Sequence, residues 1–138
     1  MRAKDPNQVA ARYVAIWNEA DPERRREGVA DLWSEDALHL LQPPQEVYES
    51  AEGLQLAPLF QARGHDELEG RVTSAYEQFV ATGQMSFRPR DDASRIGDAV
   101  KFHWEGVSPS GEVLAIGLEL VILAPDGRIQ TDYQFIES

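Results

Sequence analysis

Glu119 is the one charged residue in positions 113–124, a run whose other members are apolar or glycine. A carboxyl set among Leu118, Leu120 and Val121 loses hydration, which disfavours its charged form, so it must find a partner or keep its proton. A protonated carboxyl donates a hydrogen bond. That serves an enzyme stabilising an enolate, and equally a pocket binding a ketone or a phenol. Two placements fit the pattern: inside a pocket, or on the edge or solvent face of a curved sheet. His39 stands beside Leu38, Leu40 and Leu41, and Asp132 lies between Ile129 and Phe135. An imidazole titrates near working pH and can move a proton alpha to a carbonyl, whereas the alternative is a hydrogen-bonded core histidine. Asp132 is the second candidate base, its alternative being an aspartate paired with Tyr13, Gln134 or a loop N–H. His39, His65 and His103 share no metal-ligand spacing, and no phosphate loop or nucleophile motif is present. No metal and no cofactor is expected.

The elements that must position these groups follow from caps and periodicity. Asp5-Pro6-Asn7-Gln8 and Asp21-Pro22 are helix starts, with an aspartate cap and proline at the first turn. Val9, Tyr13, Ile16 and Trp17 share the first helical face, and Val29, Leu32 and Trp33 form the second stripe. Residues 37–41 read as a short strand. Positions 42–64 mix prolines, acids and leucines, a pattern for a long loop with a helical turn over a pocket mouth. A third helix is expected after Gly64, carrying Leu68, Val72, Ala75 or Tyr76, and Phe79. The period then becomes two, with strands expected at 85–90, 99–106, 113–123 and 128–136, the last three joined by Ser-Pro-Ser-Gly and Ala-Pro-Asp-Gly turns. Helices first and strands afterwards give an α+β fold, with the helices packed in a strongly curved, mostly antiparallel sheet.

A chain of 138 residues forms one domain, 1–138. Its 13 basic and 24 acidic residues leave a net charge of −11, which repels nucleic acid and anionic membranes. The run Arg24-Arg25-Arg26, flanked by Glu23 and Glu27, reads as a solvated helix face. Cysteine is absent, excluding disulfides and thiolate chemistry. No stretch has signal-peptide or membrane-spanning character, so a soluble cytoplasmic protein is expected.

The order of Ala11-Arg12-Tyr13, residues 17–21, residues 32–37, Gly64 to Leu68, Phe102 to Glu105, Gly117-Leu118-Glu119 and residues 126–129 resembles the nuclear transport factor two-like superfamily. That superfamily includes ketosteroid isomerases and the SnoaL-like cyclases. The resemblance covers nearly the whole chain and implies a conical pocket and commonly a homodimer packed through its sheets. Against the ketosteroid isomerase pattern, Glu119 matches the acid of the oxyanion hole, Tyr13 its tyrosine, and Trp33 a supporting tyrosine. The aspartate base of that pattern is replaced by Leu41. SnoaL-like cyclases usually carry an aspartate near Gln134, and glutamine is no base. His39, on the same strand as Leu41, and Asp132 are the substitutes. The strand phase that puts Glu119 inside also puts Val100, Phe102, Trp104, Ala115, Gly117, Asp132, Gln134 and Ile136 inside, with His103 outside.

Trp17, Trp33, Tyr76, Phe102, Trp104 and Gln134 are the expected ligand-binding residues, aromatic walls for a small lipophilic or aromatic molecule, although tryptophans at these periods also serve as core. Tyr76 is explained equally by packing. Two functions remain open. One is a cofactor-independent isomerase, lyase or cyclase in which Tyr13 and Glu119 hold an enolate oxygen while His39 or Asp132 takes the proton. The other is a non-catalytic ligand-binding or dimeric accessory domain.

Overall fold

Two proline-led helices, each capped by an aspartate, begin the chain in the computed structural model, which describes residues 5–42 and 60–137. Helix α1 (Pro6–Trp17) starts where the Asp5 side chain accepts the Asn7 N–H at 2.9 Å, and α2 (Pro22–Leu32) where Asp21 accepts the Glu23 N–H at 2.9 Å. Each cap satisfies a donor that the helix itself leaves unpaired. The loop-and-lid expectation for 42–64 falls largely on 43–59, outside the described residues.

Strand β1 (Trp33–Leu41) follows α2 without a loop, and β2 (Gln61–Arg63) pairs with it. Trp33, expected on the α2 stripe, is therefore the first strand residue, and the strand is four residues longer at its start than the expected 37–41. A register shift between Trp33 and Leu38 buries Trp33, Ser34 and Ala37 while Glu35 and Asp36 reach solvent. Such an irregularity hides the period-two pattern from the sequence.

Helix α3 (Gly64–Ala75) runs into a π-turn (Tyr76–Val80). Of the two alternatives expected on the stripe, Ala75 rather than Tyr76 continues it, followed by Phe79. Leu68 and Val72 are fully buried core residues, but Tyr76 faces away and receives the Arg25 guanidinium over its ring at 4.6 Å. Arg25 is thus buried rather than part of a solvated face, and it donates to the Glu19 carbonyl at 3.0 and 2.8 Å and to Thr73 Oγ1 at 3.0 Å. Its charge is spread over carbonyls of the connection between α1 and α2.

The remaining strands are β3 (Ser86–Pro89), β4 (Ser94–Ile96), β5 (Ala99–Val107), β6 (Val113–Leu123) and β7 (Ile129–Ile136). Their sheet order is β2-β1-β7-β6-β5-β3, with β4 also on β5; β1 is parallel to β7 and every other pairing is antiparallel. The fold is α+β, as expected, with an unclosed curved sheet around the helices. The short strands β2 and β4 lay below the length at which a period is readable. Asn18, at the end of α1, ties helix to sheet by donating to the Phe87 carbonyl at 2.6 Å and accepting the Phe87 N–H at 2.8 Å.

Strand β6 carries a close approach that organises the interior. A Cβ at Gly117 would lie 2.1 Å from Trp104 ring carbons on the neighbouring strand, so the indole occupies the space a side chain would take. Gly117→Ala must push the ring aside, and overpacking of this kind costs about 1–3 kcal/mol. Urea unfolding is expected to show that loss. An unchanged midpoint would mean that the indole is not held against the glycine.

Candidate functional site

Register brings the polar residues together. His39 on β1 is opposite Asp132 on β7, Gln134 lies two residues further along β7, and Glu119 on β6 is opposite Gln134. Alternation then sends all four side chains to the same inner face. Trp104 is opposite Gly117, two residues before Glu119, and its Nε1–H donates to Glu119 Oε1 at 3.0 Å. Tyr13 descends from α1 onto this floor, packed against Trp33 and Phe102 with ring centroids 5.3 and 5.2 Å away.

The floor opens into a cavity of about 370 Å³. Its polar wall is Tyr13, His39, Gln42, Arg71, Glu119 and Gln134; Trp17, Leu41, Phe79, Met85, Phe87 and Trp104 are among its apolar and aromatic members. Of the residues expected from sequence, Tyr13, Trp17, His39, Trp104, Glu119 and Gln134 border the cavity. Trp33 and Phe102 do not: they are buried behind Tyr13 as its packing support. Tyr76 does not either: its ring packs under the Arg25 guanidinium, and Ala75 and Phe79 border the cavity. Asp132 is fully buried one layer beneath the wall. His103 points outward, as the strand phase predicts, with its ring between Asp92 at 2.6 Å and Glu137 at 2.7 Å.

Arg71 is the residue that sequence reasoning missed. Arginine on a helix reads as solvated, yet Arg71, Ala75 and Phe79 recur at intervals of four and together form the α3 side of the cavity. That spacing was the available signal. One Arg71 Nη1–H lies 2.8 Å from His39 Nδ1. A guanidinium has only donors, so Nδ1 must accept, and the neutral ring then carries its proton on Nε2. His39 Nε2 donates to Gln134 Oε1 at 2.9 Å and lies 3.8 Å from Asp132 Oδ2. Burial lowers the His39 pKa; Asp132 opposes this and Arg71 adds to it.

Glu119, Asp132 and Tyr13 form the second part of the floor. Burial first, then the negative charge of Asp132, raises Glu119 well above the ordinary carboxyl value. Because Oε1 accepts from Trp104, the retained proton belongs on Oε2. Burial, with Asp132 and Glu119 adding to it, raises Tyr13 likewise, so its hydroxyl is protonated. Tyr13, Glu119 and Asp132 are near enough to act on one another as hydrogen-bonding groups as well as through charge, yet Tyr13 Oη, Glu119 Oε2 and the Asp132 oxygens reach no well-formed hydrogen-bond geometry among the described residues. Buried polar atoms short of a well-formed hydrogen bond are rare, and four of the six such atoms among the described residues lie in this group, the others being the Trp17 and Trp33 indole nitrogens.

One ligand atom each from His39, Glu119 and Asp132 lies within 4.8 Å of the others, a grouping of the size that holds a cation. Cation binding at Nε2 would require the proton on Nδ1, where it would oppose the Arg71 N–H. The tautomer set by Arg71 therefore does not fit a metal ligand.

Comparison with known proteins agrees with this architecture. The sequence matches no protein-family model and no curated protein. Among solved structures, a SnoaL-like family protein from Agrobacterium tumefaciens is 26% identical, with a TM-score of 0.76 over 96% of this chain and 97% of that one. A SnoaL-like protein of unknown function from Burkholderia thailandensis is 14% identical, with a TM-score of 0.66 over 96% and 94%. A protein with a ketosteroid isomerase-like fold from Catenulispora acidiphila, solved with trimethylamine, is 14% identical, with a TM-score of 0.61 over 97% and 86%.

Glu119→Gln tests the protonation state. A carboxyl whose folded pKa is raised gives its full stability below its unfolded value of 4.5 and loses it as pH rises toward the folded value. Wild type should lose up to about 1.4 kcal/mol per pH unit in that window, a slope the glutamine variant lacks. Urea unfolding from pH 4 to 9 measures both. Parallel profiles would show that Glu119 ionises normally.

Proposed function

From a fold shared with SnoaL-like, nuclear transport factor two-like and ketosteroid isomerase-like proteins, we propose a pocket protein acting on a small lipophilic molecule through a carbonyl oxygen. One observation carries this reading. Two protonated hydroxyls, those of Tyr13 and Glu119, converge with Asp132 at the floor of a largely apolar cavity without reaching well-formed hydrogen-bond geometry. Both can donate to one oxygen, and low-dielectric walls strengthen each bond. Their raised pKa values make them donors that hold a developing enolate rather than acids that give up the proton.

The reaction type that uses such a floor is cofactor-independent isomerase, lyase or cyclase chemistry, with proton removal alpha to the carbonyl. Asp132 is the better-suited base of the two candidates, because the single lone pair of His39 is given to Arg71 whereas a carboxylate keeps lone pairs beyond those that face Tyr13 and Glu119. His39 then acts as a donor that orients Gln134 and faces Asp132. A non-catalytic ligand-binding role is the second reading, favoured by a specific feature: Leu41 borders the cavity while Asp132 lies behind its wall.

A second copy of the chain is the proposed partner. Apart from Glu119, strand β6 is apolar or glycine on both faces, and its outer residues adjoin the exposed Tyr133 and Phe135. The same outer face carries Arg88, Arg90 and Lys101 beside Glu105, a local balance of charge that lets two strongly acidic chains meet. Analytical ultracentrifugation is expected to give a dimer that Phe135→Arg converts to monomer; a monomeric wild type would reject it.

Enolisation is read most directly from exchange. In D2O, wild type is expected to accelerate deuteration of 2-tetralone alpha to its carbonyl, and Glu119→Leu to slow it about 100-fold with its circular dichroism unchanged. Full exchange in the folded leucine variant would remove Glu119 from the mechanism. Saturable binding without exchange would select the non-catalytic reading.

A further inference from the structure

Arg71 is the arginine that borders the cavity. Arg24, Arg26, Arg88, Arg90 and Arg128 each lie within ion-pair distance of a carboxylate. In a chain with 24 acidic residues such partners are abundant. Arg71 forms no ion pair among the described residues, although Glu67 stands one helical turn before it. The Glu67 carboxylate accepts the Arg63 backbone N–H at 3.0 Å instead. The hydrogen bonds of Arg71 all leave from Nη1: to His39 Nδ1 at 2.8 Å, and to the carbonyls of His39 and Phe60 at 3.4 Å. Its Nε and Nη2 hydrogens, the edge that pairs with a carboxylate in parallel, have no acceptor among the described residues. A half-buried guanidinium that Asp132 and Glu67 balance only through space, with no carboxylate in ion-pair contact among the described residues, leaves that edge available to a bound anion.

We infer that the cavity takes an organic acid, whose carboxylate is held by the Nε and Nη2 edge of Arg71 while a carbonyl elsewhere in the same molecule reaches Tyr13 and Glu119. The two ends of the site are separated by the His39 ring, which Arg71 touches at Nδ1 and which faces Asp132 from Nε2. Charge decides between anions. The cavity offers one guanidinium above two buried carboxyl groups, which matches a singly charged carboxylate and opposes a doubly charged phosphate monoester. Apolar side chains between the two ends suit an aromatic or alicyclic body. The substrate class is then a lipophilic oxo acid. The carbonyl end rests on the function proposed above, and the acid end rests on Arg71 alone.

The experiment separates those two ends. Quenching of tryptophan fluorescence, with Trp17 and Trp104 on the cavity wall, reports binding of 4-oxo-4-phenylbutanoate, its methyl ester, 4-phenylbutanoate and phenyl phosphate. Wild type is expected to bind the oxo acid at least tenfold more tightly than the ester or phenyl phosphate. Arg71→Met should erase the preference over the ester, and Arg71→Lys, which keeps charge without the fork, should retain only part of it. Circular dichroism and saturable binding of the ester identify a folded variant.

Equal binding of acid and ester by wild type, or a preference surviving in Arg71→Met, overturns the inference and leaves the carbonyl reading standing. An Arg71-dependent preference shared equally by 4-phenylbutanoate supports the acid end and rejects the carbonyl end. Tighter binding of phenyl phosphate overturns the carboxylate assignment. Failure of wild type to bind any of the four overturns it as well.

Discussion

Two carboxyl groups buried side by side impose the condition on which the rest of the site depends. Glu119 and Asp132 are both inaccessible to solvent, and neither has a cationic partner in hydrogen-bond contact among the described residues. Two negative charges at this separation in a dry interior are untenable, so the pair retains a proton. Trp104 decides where it sits: the indole N–H occupies Glu119 Oε1 and leaves Oε2 to carry it. Trp104 in turn reaches Glu119 because Gly117 has no side chain. A residue with no functional group thus sets the direction of the donor.

Arg71 exerts a comparable control over His39. Its N–H takes the only lone pair of the neutral imidazole and points the remaining N–H toward Gln134 and Asp132. The ring changes from a candidate base into a donor. The same contact opposes cation binding by His39, Glu119 and Asp132, since the nitrogen nearest the carboxylates already bears hydrogen. One helical cation therefore fixes a tautomer, limits what the cluster can ligate and brings a positive charge to the wall of an acidic protein.

The scaffold accounts for why such a cavity persists. The curved sheet supplies the floor through alternate residues of β1, β6 and β7, while α1 and α3 close its sides. Trp33 and Phe102, buried behind Tyr13, hold the phenol ring from two directions and leave its hydroxyl at the floor. The neighbours at 14% identity establish the fold, and a fold of this kind carries many activities. Chemistry must accordingly be argued from the floor itself.

Much of this was legible in the amino-acid sequence, for local reasons. Aspartate caps before proline mark where α1 and α2 begin, alternation marks β5 to β7, and one carboxyl in an apolar strand identifies Glu119 as a buried acid. Those features depend on neighbours a few residues apart, and the chain cannot conceal them. Tertiary structure decided the rest. The irregularity in β1 moved Trp33 from helix stripe to strand, the Arg25 guanidinium drew Tyr76 away from the cavity and left Ala75 and Phe79 on its wall, and the burial of Arg25 rests on carbonyls between α1 and α2 and a hydroxyl on α3. Asp132 falls behind the wall and Arg71 falls on it because strand register and helix packing juxtapose residues tens of positions apart. Sequence spacing determines which face a side chain occupies within its own element; only packing between elements determines what that face meets.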